Sequence, residues 1–485
     1  MAKVGLVNPA LVSSDWGTGL APRHMDDALP RHSLLFLSGP LRIAGHQPIL
    51  LDLRLMESWQ DFEQQLIAAR PEFLCVTAHT SEIEIALECC RRAKRVLPEV
   101  VVIAGGIHFT MYPHLGAEDR SVDFVIRGEG EISLPKLLRD PAAHPRVFWG
   151  EPPDLDAIPF EDRELYDDYR DRTRFQLWHL ETPTVDLLTK RGCPWQCRFC
   201  CGPGEQNLFT RPSSRHEGVR LPTFRHRSVE NVLDELDELY ERYEFKSVVF
   251  HDDQFVIRRE WVADFCRGLH RRGHVERGIQ WWAASRSDII CAHPELFAAM
   301  QDAGLRILSI GFESFNDPML RWMRKGTTRA QNFDAAGICR DLGIDIFANL
   351  ILGMPFSDTK WYIEHDRESM AAIEEIRPRY FSPSFFSPIP GSWFFDWAVE
   401  QDLLLEGNAA AAGSRRPEEA KIRGVDYRRL EKMLGRYRRM YEPHLMPKRP
   451  LRLRLTHFAE KPLDEKLATI KRRIAGFLGE GGDAQ

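Results

Sequence analysis

Short, unbroken apolar runs alternate with amphipathic helical stretches along most of this chain, and that alternation leaves few folds open. A strand that is apolar at successive positions has to be covered on both faces. Strands joined through helices pair in parallel, so the layers must be helix, sheet, helix. The first such block occupies residues 1–140. Strands are expected at 3–7, 48–53, 73–77, 100–104 and 124–126, with helical spacing at 34–44, at 59–69 and from Ile83 through Leu87 to Cys90. The helix at 34–44 is followed by Gly45, a usual stop. The pattern implies a doubly wound, Rossmann-like domain whose ligands lie beyond the carboxyl ends of the strands. Asn8, Thr77, Thr80, Gly105, Gly106, Gly128 and Glu129 all fall there. Glycines at such ends let a large ligand approach the backbone.

The alternation restarts at Thr184 and runs to about residue 395. Strands are expected at 185–189, 246–250, 279–283, 306–310, 345–352 and 380–386, with helices between them. Ser228 is placed to cap the helix whose apolar stripe is Val229, Val232, Leu233, Leu236, Leu239 and Tyr243. Six such units make an open, partial (β/α)6 barrel, with its functional loops at the C-terminal strand ends. Those ends carry Asp252-Asp253, Ser285-Arg286, Glu313 and Gly353-Met354-Pro355. Residues 141–183, rich in Pro, Asp and Arg, read as a linker that includes His179. Residues 211–227 read as a long polar loop. The stretch 396–485 is charged and mostly helical, with strand-like alternation at 451–455 and a disordered tail from 481.

The first barrel strand leads into Cys193-Pro194-Trp195-Gln196-Cys197-Arg198-Phe199-Cys200. Thiolates suit iron–sulfur clusters and zinc. Three thiolates leave one metal position open, where a substrate or cosubstrate can bind. A structural zinc site would need a fourth ligand, and Cys201 or His216 is within sequence reach. Cys201 is expected to line the site instead, because adjacent side chains rarely ligate one metal. Cys75, Cys89, Cys90, Cys266, Cys291 and Cys339 sit in apolar-periodic segments and read as buried, reduced thiols. The aromatic runs Trp281-Trp282, Phe385-Phe386 and Trp393-Phe394-Phe395 read as core.

A formal charge of −6 gives no sign of the basic face that nucleic acid binding requires. The N-terminus opens on a strand rather than a signal pattern, and no apolar run has the length of a membrane span. The expected setting is cytoplasmic, with neither a nucleic acid nor a membrane partner.

The C-x3-C-x2-C spacing ahead of six βα units resembles the radical S-adenosylmethionine (radical SAM) superfamily. Val7-Asn8-Pro9, Leu41 to His46, Ala104 to His108 and Gly128 to Glu131 resemble the cobalamin-binding domains that precede many of its members. A D-x-H-x-x-G motif, whose histidine ligates cobalt in other cobalamin proteins, is absent, as is usual in this group. The resemblance implies that Cys193, Cys197 and Cys200 hold a 4Fe-4S cluster whose open iron binds S-adenosylmethionine. Phe199, Asp252, Asp253, Ser285, Arg286, Glu313, Gly353 and Pro355 would then line that cosubstrate. Cobalamin would contact Asn8, Thr77, Thr80, Gly105, Gly106, Gly128 and Glu129. The implied activity is hydrogen abstraction from a small-molecule substrate by a 5′-deoxyadenosyl radical, leading to cobalamin-dependent methylation. An electron donor (flavodoxin, ferredoxin or a dedicated reductase) would serve it. The rival outcomes are cobalamin-independent radical dehydration of an aminoglycoside sugar, and a cobalamin-binding or redox-sensing protein without turnover.

Overall fold

A computed structural model describes residues 1–9, 31–56, 58–169, 180–202, 224–405 and 422–435. His179, His216, most of the loop at 211–227, the alternating stretch at 451–455 and the tail from 481 lie outside these residues. The first sheet has six strands: β1 (Lys3–Asn8), β2 (Gln47–Asp52), β3 (Phe73–Thr77), β4 (Val101–Gly105), β5 (Phe124–Arg127) and β6 (Val147–Trp149). They lie in the order β2-β1-β3-β4-β5-β6, every pair parallel. Successive side chains of a strand point to opposite faces, and both faces are covered. Val7, Leu74, Val76, Val102 and Val125 pack with Phe62, Leu66, Cys89, Cys90 and Phe109 on one side. Leu6, Leu50, Cys75, Ile103 and Ile126 pack with Leu34, Leu35, Leu41, Leu134 and Leu137 on the other. Cys75 is among the thiols that burial pushes up, to about 12, so it stays protonated.

β6 lies inside the stretch expected to be a linker. It pairs with β5, and the short helix Arg163–Tyr169 sends Tyr166 into the core of the first sheet, where its hydroxyl donates to Asp52 Oδ2 at 3.0 Å. Three-residue strands carry too little periodicity to be seen in sequence. Within this stretch, β6 and the Leu165 and Tyr166 side chains pack on the first sheet, while Arg163 reaches Asp186 on the second.

The second sheet is also parallel throughout, in the order β14-β13-β12-β11-β10-β7. Its strands are β7 (Thr184–Leu187), β10 (Ser247–Phe250), β11 (Gln280–Ser285), β12 (Leu305–Glu313), β13 (Asp345–Leu352) and β14 (Tyr380–Phe385). Chain order is kept across the sheet and its edges, β7 and β14, do not pair, as a partial barrel requires. Burial alternates along β13, with Ile346, Ala348, Leu350 and Leu352 buried and the residues between them half-exposed. One face thus meets helices, and the other faces the barrel interior. The Ser228 hydroxyl accepts from Asn231 N–H at 3.2 Å, capping the helix Val229–Tyr243.

Between β7 and β10 the structure adds an antiparallel hairpin, β8 (Lys190–Gly192) with β9 (Phe224–His226). The cysteine loop therefore leaves from β8 rather than from the first barrel strand. Among the described residues, no helix is long and apolar enough to cross a membrane.

Candidate functional site

The cysteine loop is pinned by its own backbone. Arg198 N–H donates to Met323 C=O at 2.9 Å, and Phe394 N–H donates to Arg198 C=O at 3.1 Å. The Arg198 guanidinium lies over the Trp322 and Trp393 rings, 5.0 and 4.3 Å from their centroids. Cys197 is buried, while Cys193 and Cys200 are half-buried. Burial raises the Cys193 thiol to about 11 and also raises Cys197, against the pull of Lys325 and Arg286. Cys200 is raised by its hydrogen bond with Cys201 and by burial. Without a cation these thiols hold their protons; a metal cluster would draw them off as thiolates. Arg286 Nη1 stands 3.8 Å from Cys197 Sγ, and Gly202 N–H donates to Cys200 Sγ at 3.4 Å. Donors aimed at sulfur fit a ligated thiolate, so the residues present suit an iron–sulfur cluster.

The barrel strand ends surround this loop. Arg286, buried after β11, donates from Nη2 to Lys325 C=O at 2.5 Å and from Nε to Asp288 at 3.0 Å, and stacks on Trp195. Its guanidinium is thereby fixed toward the cysteine loop. Glu313 closes β12 with φ of 62°, next to a register shift between Gly311 and Glu313. A left-handed, non-glycine residue at a strand end is a strained one, held in place by its surroundings. Lys325 Nζ supplies that hold, 3.1 Å from Glu313 Oε1. Gly311 leaves room for this pair, because a Cβ there would come within 2.4 Å of Glu313 Oε1 and 2.9 Å of Lys325 Nζ and would displace both side-chain ends. Lys325 carries no periodic or motif signal in the sequence. Phe199 packs against the apolar cluster that includes Met319, Met323, Met354 and Phe394. Gly353, at φ of 77°, donates its N–H to both oxygens of Asp366 at 3.2 Å, and Pro355 C=O accepts from Trp322 Nε1.

Two of the residues expected to line the cosubstrate make internal hydrogen bonds. Asp252 accepts from Thr189 N–H at 2.7 Å, Thr189 Oγ1 at 2.5 Å and Lys190 N–H at 3.0 Å, so it ties the end of β10 to the start of β8. Ser285 is buried and accepts from Gln254 Nε2. Asp253, whose carboxyl is raised by burial and by Asp252, lines a cavity.

That cavity, about 400 Å³, opens where the carboxyl ends of both sheets meet. From the first sheet it is lined by Thr77, Gly105, Gly106, Gly128 and Glu129, over an apolar floor that includes Val76 and Ile103. Opposite, it is lined by Lys190, Arg191 and Gly192 of β8, by Gly202 after the cysteines, and by His251 and Asp253 after β10. Gly106 must be glycine: at φ of 89°, its Cβ would stand 2.5 Å from Thr77 Oγ1. An apolar floor edged by glycine backbone fits the broad face of a corrin ring. Asn8 and Thr80 are not in this lining; Asn8 Nδ2 donates to Asp52 Oδ2 at 2.9 Å, and Thr80 Oγ1 pairs with His108 Nδ1 at 3.1 Å. Two arginines of the hairpin, not anticipated from sequence, close the rim. Arg191 reaches Glu129 at 2.9 Å and Glu131 at 2.6 Å, and Arg225 also pairs with Glu129.

The profile of the Radical SAM superfamily matches residues 187–366, and that of the B12 binding domain matches residues 28–138. A relative from Pyrococcus horikoshii, named as an uncharacterized methyltransferase (PH0819), is 26% identical over 402 residues, covering 78% of this chain and 80% of its own. The hopanoid C-3 methylase of Methylococcus capsulatus is 27% identical over 372 residues, covering 73% of this chain and 66% of its own, slightly under two thirds. Among solved structures, the radical SAM methyltransferase TsrM from Kitasatospora setae, with cobalamin and a [4Fe-4S] cluster bound, superposes with a TM-score of 0.58 at 19% identity. That match covers 83% of this chain and 78% of TsrM, and at such identity it speaks for the fold. With a B12 binding domain on the first sheet, a radical SAM domain on the second and the three-cysteine loop between their facing ends, the chain belongs to the cobalamin-binding-domain-containing radical SAM enzymes.

Proposed function

We propose that this chain is a cobalamin-dependent radical SAM methyltransferase acting on a small-molecule substrate. One observation carries the reading: the glycine-edged ends of the first sheet and the flanks of the cysteine loop line the same cavity. Cys193, Cys197 and Cys200 would hold the cluster, and Thr77, Gly105, Gly106, Gly128 and Glu129 would face the corrin. When bound, the cluster supplies the electron that cleaves S-adenosylmethionine, and the corrin supplies the methyl group. The remaining work belongs to side chains. Arg286 orders the cysteine loop, while Lys325 orients the Glu313 carboxylate, which is suited to accept from ribose hydroxyls or an ammonium group. Phe199 and the turn from Gly353 to Pro355 would bound the adenine. Asp253 stands where the cavity passes from one domain to the other. A low-potential donor such as flavodoxin, ferredoxin or a dedicated reductase would complete the system.

Corrin retention and product counting test this. Purified with hydroxocobalamin and with its cluster reconstituted without oxygen, the full chain is expected to keep about one corrin per chain. Turnover is expected to release 5′-deoxyadenosine and S-adenosylhomocysteine in equal amounts. Deoxyadenosine alone, from a corrin-free protein, would support radical dehydration instead. Corrin without any S-adenosylmethionine cleavage would mark a binding or sensing protein.

A further inference from the structure

We propose that His32, Asp186 and His251 form a binding site for one divalent transition-metal ion of the zinc class, in the cavity wall and separate from the cysteine loop. The site stands on different residues from the proposed reaction and does not depend on it. His32 opens the first helix after β1, Asp186 is on β7, and His251 follows β10, so only the packing of the two sheets brings them together. His32 Nε2 lies 3.3 Å from Asp186 Oδ2, and His251 Nε2 lies 3.8 Å from the same oxygen. All three donor atoms fall within 4.8 Å of one another. A tetrahedral ion with nitrogen and oxygen ligands at about 2.1 Å sets them roughly 3.4 Å apart, close to the His32–Asp186 spacing, so three of its four positions would be filled once His251 draws in.

Two further features favour an ion over a plain hydrogen-bonded cluster. His32 Nε2 and Asp186 Oδ2 are buried and face each other and His251 Nε2, with no well-formed hydrogen bond to either atom. The atoms behind them are braced as ligands usually are. Glu161 Oε1 takes His32 Nδ1 at 2.5 Å, which aims Nε2 at the centre, and Arg163 Nη1 takes Asp186 Oδ1 at 2.9 Å, which leaves Oδ2 for it. Both histidines also line the cavity, so a fourth position would open onto it, as in sites that bind water or substrate.

Cobalt(II) is the probe. Added to the anaerobically reconstituted, desalted full chain, it is expected to bind at one equivalent beyond the cluster. Its d–d bands should be those of a four-coordinate nitrogen and oxygen site, without sulfur-to-cobalt charge transfer. His251→Gln is expected to weaken binding at least 10-fold with cluster iron unchanged. Glu161→Gln, which leaves all three ligands in place, is expected to weaken it about 10-fold through the lost brace. If Asp186→Asn fails to fold, these two variants still decide the matter. Intense sulfur-to-cobalt bands that survive in His251→Gln would put the ion at the cysteines and overturn the proposal. So would wild-type affinity in that variant, or no cobalt retained beyond the cluster. Nitrogen splitting of the cobalt(II) corrin resonance that disappears in His251→Gln would overturn it too, by assigning the imidazole to the corrin.

Discussion

Cys197 is the most enclosed of the three cysteines proposed to hold the cluster and has Arg286 aimed at its sulfur. Cys197→Ala is expected to remove the broad charge-transfer absorbance and most of the iron after anaerobic reconstitution. A variant that keeps both and still cleaves S-adenosylmethionine would refute the ligand assignment. Asp366 shows the opposite case, a carboxyl that folding keeps protonated. Burial lifts it to about 7, although the Trp361 indole and the Gly353 N–H favour the anion. The folded pKa lies above the unfolded one, near 3.9, so between about pH 4 and 7 the folded state holds a proton that the unfolded state has released. Stability from this group therefore falls as pH rises through that window and is level above it. The full difference is about 4 kcal/mol at 1.36 kcal/mol per unit. Asp366→Asn keeps an acceptor for Gly353 but cannot ionise. Subtracting its unfolding free energies from those of the unaltered chain at several pH values is expected to expose that slope. Parallel pH profiles would mean that Asp366 is charged in the folded protein.

The β8–β9 hairpin joins the two halves chemically, since Arg191 on β8 and Arg225 on β9 both reach Glu129 after β5. The hairpin also leads directly into Cys193, so one element touches both the Glu129 loop and the cysteine loop. Glu129→Gln removes the charge from two pairs while leaving Arg191 with Glu131. The expected loss is about 1.5–3 kcal/mol, the usual worth of hydrogen bonds to charged groups. It would appear as a lower urea midpoint at unchanged slope, together with weaker corrin retention. An unmoved midpoint would show that the hairpin contributes no stability to the first sheet.

Two parallel sheets presenting their carboxyl ends to one cavity make ligand binding a property of the whole fold. A ligand held only by the folded chain stabilises it by RT ln(1 + [L]/Kd), about 2.7 kcal/mol at a hundredfold excess over Kd. Hydroxocobalamin is accordingly expected to raise the thermal midpoint in a concentration-dependent way. A midpoint indifferent to corrin, in protein with a full cluster, would count against the shared cavity as its site.

The alternation of apolar strands and amphipathic helices was legible because it is local. Each run of residues carries its own period, so the six barrel strands and the Ser228 cap could be read along the chain. The C-x3-C-x2-C loop was legible for the same reason, as its ligands lie within eight residues. β6 escaped notice because three residues are too few to show a period, and the β8–β9 pairing because its partners are separated by a long polar stretch. Lys325 against Glu313, the arginines on Glu129, and His32 with Asp186 and His251 belong to a different kind of fact. Each depends on which strand ends and loops the packed sheets bring face to face. No period or spacing along a chain encodes that distance, because it is set by the burial of both sheets together.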